Sequence, residues 1–371
     1  MTEFISLSDI ESAPAGVWPN TPVTPFMRQT FLAALERNGC VGPGTGWTPS
    51  HFCNDDLLIP AYVKDHSYGE YVFDWSWAEA YARYGMDYYP KLLLSVPFTP
   101  VPGPATSGGN ELPDNFAAVL NEHCHSQQLS GWHLNFTNSA LTEQLKQQQM
   151  PDGPHQRTGV QFHWFNRDYE SFEHYLAHFV SRKRKNTLKE RRSVSGQGYR
   201  CQRLTGTDIE AEHIHFFYQC YLNTYRERRS TPYLNEDFFQ QLRQQMNDQM
   251  LLVICSNSEG PAAAALCFYD QTHLYGRYWG ALVHADALHF EACYYQGIEF
   301  CIEKGLKAFN PGTQGEHKIA RGFEPVLTHS FHWLAHPGFH QAVGDFVQEE
   351  RQHILQYQQA ARTQLPFHRT S

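Results

Sequence analysis

The chain is poor in long apolar runs and in positive charge. Its longest apolar stretches, such as residues 262–269, are far too short to cross a bilayer, and its 371 residues include 29 Lys and Arg against 38 Asp and Glu. The formal charge of −9 means that the surface as a whole repels nucleic acid, so an anionic partner must meet a local basic patch. The first residues lack the basic and apolar regions of a secretory signal, so we expect a cytoplasmic protein.

Several motifs that identify common enzyme classes are also missing. No GxGxxG follows a predicted strand, and neither GxxxxGK(S/T) nor GxSxG occurs, which argues against dinucleotide, P-loop and serine-hydrolase chemistry. The nine cysteines form no CxxC pair, and most lie in apolar patterns, so we expect reduced core thiols rather than disulfides or zinc ligands. His123 and His125 are two residues apart, and a helix would point them in different directions. We therefore expect no metal site.

Two segments of the sequence share one plan. "LLIPAYVKDHSYGEYVFDWSW" begins at residue 57 and "AAAALCFYDQTHLYGRYWGAL" begins at residue 262. Each contains an apolar strand, a polar turn and a Tyr-Gly-x-Tyr that opens a second strand. Each continues into a helical stretch and an apolar strand ending in Phe-x-Pro. This shared order predicts an internal repeat.

The second half shows its own order of elements. It reads as a strand, two helices, three antiparallel strands, a helix, a strand, a loop and a final strand, which favours a mixed α+β fold over a doubly wound sheet. Residues 172–193 have helical apolar spacing and predict one long helix before this series. Asn235 is the expected cap of a later helix.

The long helix carries a dense run of cations. Seven Lys and Arg lie within residues 181–192 against the single acid Glu190. Such a run favours a phosphate-bearing partner: the nucleotide of coenzyme A, a tRNA acceptor stem or a diphosphate-linked acceptor. The alternative is a solvated helix face. The residues predicted to bind donor phosphates are Arg182, Lys183, Arg184, Lys185, Lys189 and, from a later loop, Arg321.

Several of these stretches resemble a known family. The order of elements resembles the GNAT acyltransferase fold, present twice. "SRKRKNTLKERR", "LYGRYWG" and "PGTQGEHKIARGFEP" are similar to the bacterial FemAB-like predicted N-acyltransferase family, which is related to the Fem-type peptidoglycan aminoacyltransferases. The resemblance implies an α+β chain of two tandem GNAT-like domains, each a mixed, mostly antiparallel sheet flanked by helices. We expect an acceptor-pocket domain at 1–165 and a donor-site domain at 166–371.

The resemblance also implies an activity. The chain would be an N-acyltransferase that moves an acyl or aminoacyl group from acyl-CoA or aminoacyl-tRNA to a primary amine of a peptidoglycan precursor or a small metabolite, without a metal. The GNAT pyrophosphate pattern, Gln/Arg-x-x-Gly-x-Gly/Ala, is not intact, because "RYWGAL" (277–282) ends in Leu282. Both donors therefore stay open. The competing interpretation is a non-catalytic module that binds an anionic cell-wall precursor or nucleic acid.

The loop "GTQGEHKIARGF" (312–323) is the principal candidate for catalysis, because it gathers an acid, an imidazole and two cations. Amine acylation needs a base, for which Glu316 or His317 is suitable, and cationic groups such as Lys318 and Arg321 for an oxyanion or phosphate. An ion-paired loop is the alternative. The predicted catalytic residues are Glu316, His317, Lys318, Arg277 and Tyr275, the last two on the strand that binds the acyl carbonyl in GNAT enzymes.

The predicted acceptor pocket consists of charged residues among aromatic ones. Its members are Glu70, Asp74, Trp75, Lys91 and Glu291. The alternatives are structural bridges between charges, including a salt bridge between Arg277 and Glu291.

Overall fold

The structure is a computed structural model that describes residues 4–18, 24–103, 112–148, 150, 152–313 and 315–368, so Gln314 lies outside the described residues. The strands are β1 Ile5–Leu7, β2 Trp47–Pro49, β3 His51–Cys53, β4 Leu58–Ile59, β5 Ala61–Lys64, β6 Lys91–Leu94, β7 Gly131–Thr137, β8 His155–Phe165, β9 Arg200–Thr205, β10 Met250–Asn257, β11 Gly260–Tyr269, β12 His273–Ala281, β13 Ala308–Asn310 and β14 Glu324–Leu334. The helices are α1 Gln29–Arg37, α2 Trp75–Arg83, α3 Phe116–Ser126, α4 Ser139–Gln147, α5 Phe172–Ala177, α6 Ser181–Gly196, α7 Ala211–Glu227, α8 Glu236–Met246, α9 Leu288–Phe290, α10 Gln296–Lys304 and α11 Pro337–Thr363.

The chain forms two compact units. Unit 1 contains residues 1–160 and 327–356, and unit 2 contains residues 161–326 and 357–371. This division differs from the predicted domains 1–165 and 166–371, because the chain returns to unit 1 after Val326 and to unit 2 after Gln356. Within the described part of the chain, no helix is both long enough and apolar enough to span a membrane.

Unit 1 is built on strands in the order β2-β5-β6-β7-β14, with a small β1-β3-β4 sheet beside them. β6 and β7 run parallel, whereas β5–β6 and β7–β14 are antiparallel. Alternate residues of a strand face opposite sides of the sheet. Leu92 and Leu94 of β6 therefore join Trp132 and Leu134 of β7 in one apolar cluster with α3 and α4. Lys91 lies on the other side of the sheet.

Unit 2 has strands in the order β8-β13-β12-β11-β10-β9. β9 to β12 are antiparallel neighbours, and β12 pairs with β13 in parallel after the intervening helix. This is the predicted order of strand, two helices, three antiparallel strands, helix and strand. The mixed α+β fold class is confirmed, with a mixed sheet flanked by helices in each unit. Asn235 also caps α8 as predicted, because its side chain accepts from the Phe238 N–H at 3.0 Å.

The Tyr-Gly-x-Tyr plan holds in only one of its two copies. "YGRY" lies inside β12, but "YGEY" forms a turn between β5 and α2, so the predicted second strand of the first copy is wrong. Gly69 and Tyr71 both have positive φ, at 82° and 60°, which a regular strand excludes. A Cβ on Gly69 would also lie 2.6 Å from the Phe98 ring.

The predicted single helix over 172–193 is also wrong, because it is divided into α5 and α6. The residues between them pair with the C-terminal segment: the Val180 N–H donates to the Pro366 carbonyl at 2.8 Å, and the His368 N–H donates to the His178 carbonyl at 3.0 Å. Val180 has an extended ψ of 142°. The helical spacing of apolar residues in the sequence continues across this break. The break is therefore visible only in the pairing with the C-terminal segment.

The prediction that all cysteines are reduced is wrong as well. Cys201 and Cys255 form a disulfide between the neighbouring strands β9 and β10, where they face each other in the register. The two cysteines have a sequence separation of 54 residues, and no local motif indicates that they pair.

Close packing of α7 on β12 yields a stability prediction. A Cβ on Gly280 would lie 1.9 Å from the Cys220 carbonyl oxygen of α7. We expect Gly280→Ala to lower the free energy of unfolding by about 2 kcal/mol or more, because backbone must move to admit the methyl group. Urea unfolding measures the change. The matched control is Gly196→Ala in α6, where a Cβ would meet nothing within 4 Å. Equal stability of the two variants would contradict the prediction.

Candidate active site

Residues 315–323 form an ordered turn rather than an irregular loop. A 3-10 helix spans Glu316–Arg321 and is bounded by Gly315 and Gly322, both with positive φ, at 115° and 83°. Glycine is required at the second boundary, since a Cβ there would lie 1.9 Å from the Tyr175 hydroxyl oxygen. That hydroxyl donates to the Arg321 carbonyl at 2.7 Å. The turn is therefore anchored by Tyr175 of α5, within the same unit.

Arg321 is the internal support of this turn. It is only 6% exposed, and its Nη1 donates to the His317 carbonyl at 2.6 Å and its Nη2 to Glu190 at 2.7 Å. Its Nε donates to the Tyr295 hydroxyl at 3.1 Å. The guanidinium carbon lies 3.4 Å from the centroid of the Phe290 ring. Because every nitrogen already has a partner, this geometry favours a supporting role over the predicted phosphate binding.

His317 lies at the surface of the turn and has a defined partner. Its Nε2 is 2.8 Å from the Tyr294 hydroxyl oxygen. Burial, together with the charges of Lys318 and Arg321, lowers the pKa of His317 from its usual value. The imidazole is therefore neutral at neutral pH and retains one nitrogen that can accept a proton.

Lys318, the next residue, points inwards. Its side chain is buried, and its Nζ donates to the Gly312 carbonyl at 2.8 Å. Among the ion pairs of the described residues, none includes Lys318. Burial lowers the pKa of this amine to about 7. A buried amine without a carboxylate is costly and is typical of functional sites.

Glu316 occupies a different environment. It is exposed, and its Oε1 accepts a hydrogen bond from the Tyr357 hydroxyl at 2.7 Å. The two predicted bases therefore have different partners. His317 contacts Tyr294, which precedes α10, whereas Glu316 contacts Tyr357 of α11.

A π-helical turn spans Glu291–Tyr295, in the helical segment that contacts His317. Such a turn adds one residue per turn and is frequent at functional sites. It is flanked by α9 and α10, and it directs Tyr294 to His317. Glu291 instead accepts from Arg191 of α6, at 3.0 Å from Nε and 2.8 Å from Nη2. The pairing of Glu291 considered from the sequence, with Arg277, is not the one observed.

Arg191 is the residue of this region that the sequence did not single out. Besides Glu291 it binds Glu299 at 2.5 Å, and its guanidinium lies 4.7 Å from the Phe172 ring centroid. The available signal was its position off the row that helical spacing makes of Arg182, Lys185, Lys189 and Arg192, on the side of the helix that faces the fold. The predicted partners of phosphate on α6 remain at the surface: Arg182, Arg184, Lys185 and Lys189 are exposed, and Lys183 is half-buried.

Tyr275 and Arg277 both lie on β12, as predicted. Tyr275 is buried, and its hydroxyl donates to Asp270 at 2.8 Å. The Arg277 guanidinium lies 5.3 Å from the Tyr278 ring centroid. Their catalytic roles stay a prediction.

Unit 1 brings together three of the predicted acceptor-pocket residues. The buried Lys91 Nζ donates to Glu70 at 2.8 Å and to Asp74, and the Tyr88 hydroxyl also donates to Asp74, at 2.6 Å. Burial raises the pKa of Glu70 to about 7 against the opposing charge of Lys91. Trp75 follows at the start of α2, 42% exposed, with its ring centroid 5.0 Å from that of Tyr68.

The family described as peptidoglycan biosynthesis/recognition, FemAB-like, matches residues 9–369. The chain belongs to the FemAB-like family. The match confirms the family inferred from the sequence. No curated protein is significantly similar to the chain.

Solved structures are similar to this FemAB-like chain in fold. One is a conserved protein of unknown function from Bacteroides thetaiotaomicron, at 12% identity over 90% of this chain and 100% of that chain, with a TM-score of 0.54. Another is the C-terminal DUF2156 domain of a candidate lysylphosphatidylglycerol synthetase from Agrobacterium fabrum, at 7% identity over 86% of this chain and 90% of that chain, with a TM-score of 0.53.

The buried amine of Lys318 makes the stability of the FemAB-like chain depend on pH. Its pKa of about 7 in the fold is below the ~10.4 of an exposed lysine, so the folded state binds fewer protons than the unfolded state between these values. The contribution of Lys318 therefore becomes more favourable as pH rises through this window. We expect Lys318→Met to raise the melting temperature at about pH 6, and the gain to shrink towards about pH 10.

The matched control for this measurement is Lys304→Met, which removes an exposed lysine of α10. Its effect on the melting temperature should be small and similar at both pH values. A Lys318→Met variant that is less stable than wild type at acidic pH would contradict the assignment of an unpaired buried amine.

The charge cluster of unit 1 predicts the opposite response to loss of a lysine. Lys91→Met would leave Glu70 and Asp74 buried without their cation, so we expect the free energy of unfolding to fall by about 3–5 kcal/mol. Lys146→Met, which breaks the exposed pair with Glu143, should cost less than about 1 kcal/mol. Urea unfolding compares the two. Equal effects would show that the buried cluster contributes no more than a surface ion pair.

Proposed function

We propose that this FemAB-like protein is an N-acyltransferase that moves an acyl or aminoacyl group to a primary amine. The donor is an acyl-CoA or an aminoacyl-tRNA, and the family's description favours a peptidoglycan precursor over a small metabolite as the source of the amine. The observation that carries the proposal is the buried, titratable amine of Lys318, which follows the surface residue His317 in the chain and whose charge acts on its imidazole. These are the two groups that acylation of an amine requires.

His317 is the proposed general base. In the tautomer that carries its proton on Nε2, the ring donates to the Tyr294 oxygen and leaves the Nδ1 lone pair available. Burial raises the pKa of Tyr294, so the phenol stays neutral and orients the ring without taking the proton. The lowered pKa of His317 keeps the imidazole unprotonated near neutral pH.

The reaction then proceeds by direct transfer. The amine nitrogen attacks the carbonyl carbon of the donor, a C–N bond forms, and the carbonyl oxygen becomes an oxyanion. His317 takes one proton from the nitrogen. When the oxyanion collapses, the C–S bond of a thioester or the C–O bond of an aminoacyl ester breaks, and the imidazolium returns the proton to the leaving sulfur or oxygen. Lys318 in its charged form stabilises the oxyanion.

Other predicted residues take binding roles in this proposal. The exposed cations of α6 bind the phosphates of the donor, since they have no ion-pair partner among the described residues. In unit 1, Glu70, Asp74, Trp75 and Lys91 line the acceptor pocket. Two observations support this: Glu70 Oε1 is buried without a hydrogen-bond partner among the described atoms, and Trp75 offers an exposed ring. Glu291, paired with Arg191, positions α6 instead.

Transfer assays with matched histidine variants test the proposal. Acetyl-CoA, a longer acyl-CoA and an aminoacyl-tRNA are each incubated with a UDP-linked muropeptide, and the acylated product is measured by mass spectrometry. With the donor that supports turnover, His317→Gln should lower kcat by about 100-fold or more and leave the KM of the donor nearly unchanged. His215→Gln, which removes a histidine paired with Glu236, is the control and should retain activity.

The pH profile separates the two residues of the site. Activity should rise as His317 loses its proton below its usual pKa, and it should fall as Lys318 loses its charge near pH 7. Lys318→Arg should remove the falling limb, because arginine stays charged. Loss of activity in Glu316→Gln with full activity in His317→Gln would reject His317 as the base. Tight binding of the muropeptide without turnover with any donor would favour the non-catalytic module.

A further inference from the structure

A separate cavity of about 330 Å³ lies in unit 2 between the C-terminal half of α6 and the start of β9. Its wall has two kinds of surface. Leu188, Val194 and Tyr199 supply apolar and aromatic area, whereas Arg191, Arg192 and Arg200 supply positive charge and Glu291 supplies a carboxylate. None of the residues predicted from the sequence to bind donor phosphates lines it. Its volume is at the small end of ligand-binding pockets, which run from about 300 to 1,000 Å³.

The charges around this cavity do not balance. Arg191 is neutralised by Glu291 and Glu299. Arg192 and Arg200 are exposed, and neither takes part in an ion pair among the described residues. Two further arginines therefore line the same small space as the neutral Arg191–Glu291 pair, in a chain whose net charge is −9. Their mutual repulsion favours an anion between them.

Both arginines are carried on firmly held backbone. Arg200 starts β9, where it pairs with Ser256 of β10, and the next residue is linked to β10 through the Cys201–Cys255 disulfide. The end of α6 is tied to the loop before α9, since Gln197 donates to the Asp286 carbonyl at 3.1 Å and accepts from its N–H at 3.2 Å. The two guanidinium groups are thus carried by segments that need no large rearrangement to bind a ligand.

We propose that this cavity binds a small phosphomonoester. A phosphomonoester carries a charge of about −1.5 to −2 near pH 7, which matches two unpaired guanidinium groups better than the single charge of a carboxylate. Arginine also presents paired donors that suit phosphate oxygens. The organic part of the ligand lies against Val194 and the ring of Tyr199. The proposal does not rest on acyl transfer, because neither the 3-10 turn nor any residue proposed to bind donor phosphates lines the cavity.

Direct binding to the full-length protein tests this site. Isothermal titration calorimetry is carried out with phenyl phosphate, inorganic phosphate and benzoate. Phenyl phosphate should bind more tightly than inorganic phosphate if the apolar wall contributes, and benzoate should bind most weakly because of its lower charge. In Arg192→Gln/Arg200→Gln the affinity for phenyl phosphate should fall by about tenfold or more, as expected for the loss of charge-assisted hydrogen bonds.

The control is Arg226→Gln/Arg228→Gln, which makes the same change of charge at exposed positions at the end of α7 that do not line the cavity and have no proposed role in binding. This variant should bind phenyl phosphate within about twofold of wild type at physiological salt. Equal losses in both double variants would show diffuse electrostatic attraction and overturn the proposal, as would a wild-type protein that binds none of the probes. Circular dichroism confirms that each variant is folded, and the transfer assay is read separately, so failure of one proposal does not imply failure of the other.

Discussion

The contacts of Arg321 hold the candidate active site of unit 2 in shape. Its planar guanidinium lies on the face of Phe290 and reaches Glu190 of α6 and the His317 carbonyl of the 3-10 turn at the same time. Only arginine combines a flat, stackable cation with several donors in fixed directions. Because three segments converge on this one group, it supports the turn in the conformation in which His317 reaches the surface and Lys318 is buried.

The pKa of the buried lysine is shifted in opposite directions in the two units. In unit 1, burial acts to lower the pKa of Lys91, but Glu70 and Asp74 raise it, so the ammonium is a permanent charge within a paired cluster. In unit 2, Lys318 has only the Gly312 carbonyl, and burial lowers its pKa to about 7. The first arrangement contributes to the integrity of the fold. The second sacrifices stability at neutral pH for an amine that titrates in the physiological range, which is the usual compromise at sites of chemistry.

The cations of α6 show what local sequence can predict and what it cannot. Its cations are dense enough to predict an anionic partner, yet spacing along the chain does not show which of them stay in solvent. The fold divides them: Arg191 turns inwards to Glu291 and Glu299, the N-terminal cations stay exposed, and Arg192 meets Arg200 of a different element at a cavity. That last juxtaposition joins residues on opposite sides of a turn, and no periodicity within α6 reveals it.

Sequence alone indicated the family, through stretches that resemble its members. It determined the α+β class and the order of elements in unit 2, because apolar periodicity, caps and turn residues act over a few neighbouring positions. It also located the charged turn at 312–323. Only the tertiary structure decided that α5 and α6 are separate, that Cys201 meets Cys255, and that Arg321 supports the site while Lys318 is buried within it. Each of these outcomes depends on contacts between segments far apart in the chain, whose energies no local pattern encodes.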